Sequence, residues 1–377
     1  MNKVKSIIRY AVLLLFLAIT GCKQVGKLTD VFTKPTAREI YARNFEDNDR
    51  QFTLWSKAFE QAKKDSLLIQ LPYVEVAKSF SQRNTVYSYN VNLKEGVELE
   101  ISVVNNDHAN QFFIDVLHIA TDSNYVQMAH NKINEHNVRL SIDNTGTYKV
   151  LVQPAINAQI NFELRITSAP RFRFPVVGKA NDAIQSFWGA ARDAGARSHQ
   201  GIDIFAERGT PVVAATDGRI TSTGNRGLGG KQVWLRTGMF GKSLYYAHLD
   251  SIIAKVGDRV ISGDTLGLVG NTGNARTTDP HLHFGIYASG KGAIDPLPFV
   301  WKTNVPEQQN DMQVVPRIAV SAVRANLRNS PTTNSLVIGE ALKNDTLHVL
   351  GRTKMWSHVL TRKGKKAFIH SSLITQP

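Results

Sequence analysis

The chain has 377 residues, 42% of them hydrophobic and 20% charged, which supplies apolar material for several domain cores and excludes an intrinsically disordered protein. Its only cysteine is Cys22, which excludes an intramolecular disulfide framework. The formal charge of +14 is unevenly spread: residues 22–170 sum to −1, residues 171–300 to +5 and residues 311–377 to +7, so the basic part is the tail, suited to an anionic polymer or surface.

At the N-terminus, MNKVKSIIRYAVLLLFLAITGC places Lys3, Lys5 and Arg9 ahead of an apolar run. Roughly 10 to 14 apolar residues fall short of the ~20 that span a bilayer and fit the core of a signal peptide. Ile19-Thr20-Gly21-Cys22 resembles the lipobox of bacterial lipoproteins. The resemblance implies a lipoprotein signal peptide over residues 1–21, a lipid on Cys22 and a tether over 22–36. The expected location is the cell envelope, at the periplasmic face or outer membrane, with the membrane rather than nucleic acid as a partner.

Between residues 37 and 68, Ile40, Ala42, Phe45, Phe52, Trp55, Ala58, Phe59 and Ala62 recur at near-helical spacings. That predicts one or two helices, interrupted at EDND, with an apolar face covering the domain that follows. From 69 to 170 the pattern changes to alternation, in TVYSYNVNL, VELEISVV, FFIDVLHI, YKVLVQP and NFELRIT, separated by Asn, Asp and Gly turns. This is the pattern of an antiparallel β-sandwich. DNTGTYKVLVQP followed by INFELRIT resembles the closing strands of pre-peptidase C-terminal-like β-sandwich modules.

Twenty of the 27 glycines lie between Gly178 and Gly292, a density that calls for short strands and tight turns over residues 171–300. In HLHFGIYA, His281 and His283 flank Leu282, and a strand puts both imidazoles on one face. A catalytic zinc site takes three protein ligands and keeps a fourth position for water. RSHQGIDIF supplies His199 and Asp203, which complete a two-His, one-carboxylate set with His283. His281 and His248 remain for proton transfer and for opposing an oxyanion, and spacing does not decide which does which. His248 ends SLYYAHL, where alternation puts Tyr246 on its side. The chain has no His-Glu-x-x-His helix and no Gly-x-Ser-x-Gly elbow, so neither the thermolysin class nor a serine nucleophile is supported.

HQGID, YYAHLD and PHLHFGIY in that order, with RGTPVVAATDGRI and GDTLGLVGNTGNARTT between them, resemble the lysostaphin/LytM-type zinc endopeptidases over residues Phe174 to Phe299. The resemblance implies Zn2+ held by His199, Asp203 and His283, with His248 and His281 as the catalytic pair. It further implies hydrolysis of peptide cross-links in bacterial peptidoglycan. The competing class, a non-enzymatic LytM-like activator of wall amidases, lacks part of the ligand set that is complete here.

A linker is expected over 301–315, followed by a basic segment over 316–377. Asn326, Leu327, Arg328, Ser330, Pro331, Gly339, Trp356 and FIHSSLI make that segment resemble bacterial SH3-like wall-binding modules, with Phe368 at the closing aromatic position and Ala367 where the family places Gly. The resemblance implies a small barrel that binds peptidoglycan; a barrel that merely packs on the peptidase domain is the alternative. His108, His118, His130, His136, His348, His358 and His370 lie outside the metal-site pattern and read as structural or solvated. The expected fold class is mainly β and multidomain: N-terminal helices, an antiparallel β-sandwich, a Gly-rich antiparallel-sheet peptidase domain and a small SH3-like barrel.

Overall fold

Two short helices, Ala37–Ala42 and Arg50–Ala62, open the part of the chain that the computed structural model describes, residues 35–375 apart from 47, 81–82, 106–110, 122–123, 239–240 and 307–312. Cys22 and the signal-peptide segment lie outside the described residues. Thr36 and Glu39 cap the first helix reciprocally, and Asp49 accepts from the Phe52 N–H at the start of the second. Trp55, Phe59 and Ala62 are buried against Phe113, Leu117 and Leu151 of the following domain, and Trp55 Nε1 donates to the Pro154 carbonyl at 2.9 Å. Helix ends at Ala62 rather than near 68, because Leu67 and Ile69 enter the sandwich core and Leu68–Ile69 pairs with the strand Tyr87–Leu93.

The sandwich has one sheet ordered Leu68–Ile69, Tyr87–Leu93, Gly146–Pro154, Phe112–Thr121 and Asn124–His130. Tyr73–Lys78, Asn161–Pro170, Val97–Asn105 and Asn137–Ser141 run in that order in the other. Leu99, Ile101 and Val103 show the period of two, burying into the shared core while their neighbours stay partly exposed.

The second sheet does not stop at the sandwich. Tyr73–Lys78 also pairs antiparallel with Thr346–Thr353 of the C-terminal barrel, with Val76 opposite Arg352 and Ala77 opposite Gly351. The tail therefore returns across the whole peptidase segment to join the sandwich, so it is the sandwich, rather than the peptidase domain, that shares a sheet with it. At this seam the fully buried Glu75 accepts from the hydroxyls of Tyr73, at 2.6 Å, and Tyr89, and His358 Nδ1 lies 2.9 Å from its other oxygen. Gly351 has no Cβ because one would run into the Glu75 carboxylate. Deleting the imidazole would take one of three hydrogen-bond partners from the buried carboxylate and leave a void in its place. His358→Ala is expected to destabilise the protein by about 2 to 4 kcal/mol, read from denaturant unfolding; an unchanged midpoint would show that His358 contributes nothing to cooperative stability.

The glycine-rich segment folds as a ten-stranded sheet with the central order Ile184–Ser186, Ile202–Phe205, His281–Ala288, Ser243–Ile252, Lys231–Arg236, Gly218–Asn225 and Arg259–Val260. It docks on the sandwich where the Phe299 ring lies against Gly96, a position at which any Cβ would collide with that ring. Lys242 and Glu95 pair across the same junction at 3.0 Å.

Candidate metal centre

Three neighbouring strands build the centre. Asp203 stands opposite His283 and Phe205 opposite His281, while Ala247 stands opposite His283 on the far side. Opposed residues share a face of the sheet. Asp203, His281 and His283 thus emerge together, while Ile202, Ile204, Leu282, Phe284 and Tyr246 fill the core behind them.

His248 breaks the alternation. Its φ is 63°, and the pairing on either side of it shifts register, between Lys231 and Val233 and between Leu249 and Ser251. A left-handed residue at a bulge re-aims its side chain, so His248 lines the same cavity as His281 and His283. This corrects the expectation for Tyr246: it is fully buried, with its hydroxyl accepting from the Ala215 N–H at 3.0 Å. Of the adjacent pair Tyr245 and Tyr246, it is Tyr245 that shares the cavity with His248.

His199 follows a two-stranded ribbon, Ala191–Arg192 with Arg197–Ser198. Its Nδ1–H donates to the Phe187 carbonyl at 2.9 Å, which leaves Nε2 as the ligand atom. Nε2 lies 3.0 Å from Asp203 Oδ1 and 3.0 Å from His283 Nδ1, and Oδ1 lies 2.9 Å from His283 Nδ1. Ligands at 2.0–2.1 Å from a tetrahedral ion are separated by about 3.3 Å, so the three atoms already form nearly the required triangle. Gly201 makes this possible, since a Cβ there would lie 2.6 Å from Cε1 of His283.

Burial alone would raise the Asp203 pKa, but its close contacts with the imidazoles of His199 and His283 overcome it and hold the carboxyl far below its usual range. Burial, opposed by Asp203, pushes His283 down. Burial next to His283 and His281 pushes His248 down to about 4, so it is neutral at physiological pH. His248 Nδ1–H donates to the Thr272 carbonyl at 2.8 Å and His281 Nδ1–H to the Asp279 carbonyl at 2.8 Å. Each ring therefore keeps Nε2 for other work. Phe205 stacks on His281 with centroids 4.9 Å apart.

The cavity has a volume of about 610 Å³, and all its lining residues fall between 185 and 287. No described residue of the helices, sandwich or tail enters it. Trp234, Tyr245 and Tyr287 form an aromatic wall, with Trp234 centroids 4.5 Å from Tyr245 and 5.1 Å from Tyr287. Sequence reasoning overlooked this wall, although Tyr245 stands opposite Gly285, two residues from His283, and register would have found it. It also overlooked Arg192 and Ser186, which no spacing rule ties to the ligands.

A largely buried two-His, one-carboxylate triangle with two further imidazoles on an antiparallel sheet is a candidate metal centre able to support metal-assisted hydrolysis. Residues 197–296 match peptidase family M23 and residues 322–375 match the bacterial SH3 domain: the chain carries an M23 peptidase domain and a bacterial SH3 domain. It is 41% identical over 108 residues to the glycyl-glycine endopeptidase ALE-1 of Staphylococcus capitis, covering 27% of this chain and 29% of that protein. It is 35% identical over 140 residues to the DD-carboxypeptidase/endopeptidase Mpg of Neisseria meningitidis, covering 37% and 31%. Over 158 residues it is 30% identical to the peptidoglycan DD-endopeptidase ShyC of Vibrio cholerae, covering 39% and 31%. The chain thus spans under a third of the length of each of these relatives.

Proposed function

We propose that this chain is a zinc-dependent endopeptidase that hydrolyses peptide cross-links of bacterial peptidoglycan, held in the envelope by a lipid on Cys22. The observation that carries the reading is the convergence of His199 Nε2, Asp203 Oδ1 and His283 Nδ1 within 3.0 Å of one another, beside two imidazoles that are not part of the triangle. His199, Asp203 and His283 would hold zinc, which when bound supplies a water acidified to near neutral pH and a Lewis acid for a carbonyl oxygen. His248, neutral and anchored through Nδ1, can accept a proton at Nε2. His281 is anchored in the same way, and once its Nε2 carries a proton it can donate to the leaving amine or oppose the oxyanion. In the net reaction water adds its oxygen to the carbonyl carbon, the C–N bond breaks and the amine nitrogen gains a proton. The open cavity and its aromatic wall offer an extended peptide a groove, and the +7 tail suits anionic wall peptides or polymers.

The test is to incubate the chain without residues 1–22 with cross-linked muropeptide dimers, one set bridged by D-Ala to diaminopimelate and one by glycines. Chelator-sensitive conversion to monomers is expected. No cleavage of either set, with stimulation of a wall amidase instead, would replace the endopeptidase reading with the activator reading. For the anchor, Cys22→Ser should move the protein out of the membrane fraction or leave it unprocessed. Unchanged fractionation and mobility would remove the lipid from the proposal.

A further inference from the structure

The geometry points to Arg192 as a positioning residue of the metal centre, an inference that rests on the zinc-peptidase reading. The two oxygens of Asp203 have separate partners. Oδ1 faces the two ligand histidines, at 3.0 Å from His199 Nε2 and 2.9 Å from His283 Nδ1. Oδ2 accepts from Arg192 Nη2 at 2.6 Å, and the same nitrogen lies 2.6 Å from Ser186 Oγ. Ser186 Oγ is in turn 3.3 Å from His199 Nδ1, so one guanidinium is linked to two of the three ligands. The Asp203 side chain is 9% exposed and that of Arg192 33%, a setting in which a charge-assisted contact is screened little on the carboxylate side.

Left to itself, a carboxylate can turn both oxygens toward a metal and take the coordination position that a catalytic site needs for water. Arg192 engages Oδ2 from outside the triangle, so Asp203 presents Oδ1 alone. The ribbon Ala191–Arg192 with Arg197–Ser198 makes this local: one short two-stranded element delivers both Arg192 and, one residue beyond its end, His199. Two effects compete. A cation near a dication repels it, whereas a residue that orients a ligand typically improves metal affinity or activity by ~10–100-fold. Arg192 faces the oxygen directed away from the ligand atoms, and its charge is opposed by the carboxylate between them, so orientation prevails.

The experiment measures zinc affinity by chelator competition on the chain lacking residues 1–22, for the native sequence, Arg192→Ala and Arg192→Lys, with visible spectra of the cobalt-loaded proteins and thermal unfolding alongside. Arg192→Ala is expected to bind zinc ~10–100-fold more weakly, and its cobalt spectrum to lose intensity as the carboxylate becomes bidentate. Arg192→Lys restores the charge, but its ammonium ends one bond short of Nη2, the nitrogen that meets both Ser186 and Asp203, so it should recover affinity only in part. Affinity and spectrum unchanged in both variants, or tighter zinc binding by Arg192→Ala, would overturn the assignment while leaving the zinc reading intact. A lower unfolding temperature with native affinity would reduce Arg192 to a brace of the ribbon and also overturn it. If the native protein binds no zinc, the zinc reading itself fails and takes this assignment with it.

Discussion

His281→Ala is expected to keep its zinc and to lose hydrolysis of cross-linked muropeptides by roughly 100-fold or more, the scale of a missing acid–base group. His281 is outside the ligand triangle, which is formed by atoms of His199, Asp203 and His283. Its ring is set by the hydrogen bond from Nδ1 to the Asp279 carbonyl and by stacking on Phe205, so Nε2 is presented to the cavity without touching a ligand atom. Deleting the imidazole leaves the triangle in place but removes one of two groups able to move the proton that amide cleavage requires. Zinc content by elemental analysis and dimer-to-monomer conversion by chromatography separate the two effects. Activity within a few-fold of native would take His281 out of proton transfer. An amidase activator would be indifferent to the substitution.

The second large effect is on metal content. His283→Ala removes the atom that lies within 3.0 Å of both other ligand atoms, so zinc affinity should fall by more than the ~10–100-fold that follows loss of a residue merely supporting a ligand. The fold should survive. His283 is on the cavity face of its strand, while Leu282 and Phe284 on the opposite face carry the core packing. Zinc retained at full occupancy after dialysis, with native circular dichroism, would remove His283 from the ligand set.

Much of the site was legible in the chain because strands have a simple grammar. Period-two alternation put His281 and His283 on one face, and the glycine density excluded helices for the segment around them. The elements HLHFGIYA and SLYYAHL both formed where alternation placed them, as His281–Ala288 and within Ser243–Ile252. The same grammar misplaced the surroundings of His248. Strict alternation would have sent its ring to the face that Tyr246 occupies, and only the bulge with φ of 63° brings it into the cavity with Tyr245.

By itself, then, the sequence determined the class of fold, the order of the modules and the residue types able to make a metal triangle, since these depend on short-range periodicity and on the chemistry of individual side chains. Tertiary structure alone decided that Arg192 holds the outer oxygen of Asp203, that Gly201 leaves room for the His283 ring, and that the tail adds its strand Thr346–Thr353 to the sandwich strand Tyr73–Lys78. Those outcomes are matters of register and of close approach between segments distant in the chain. Backbone hydrogen bonding is generic along every strand edge, and the choice of partner and register is made only when side chains from both segments must pack on the same face.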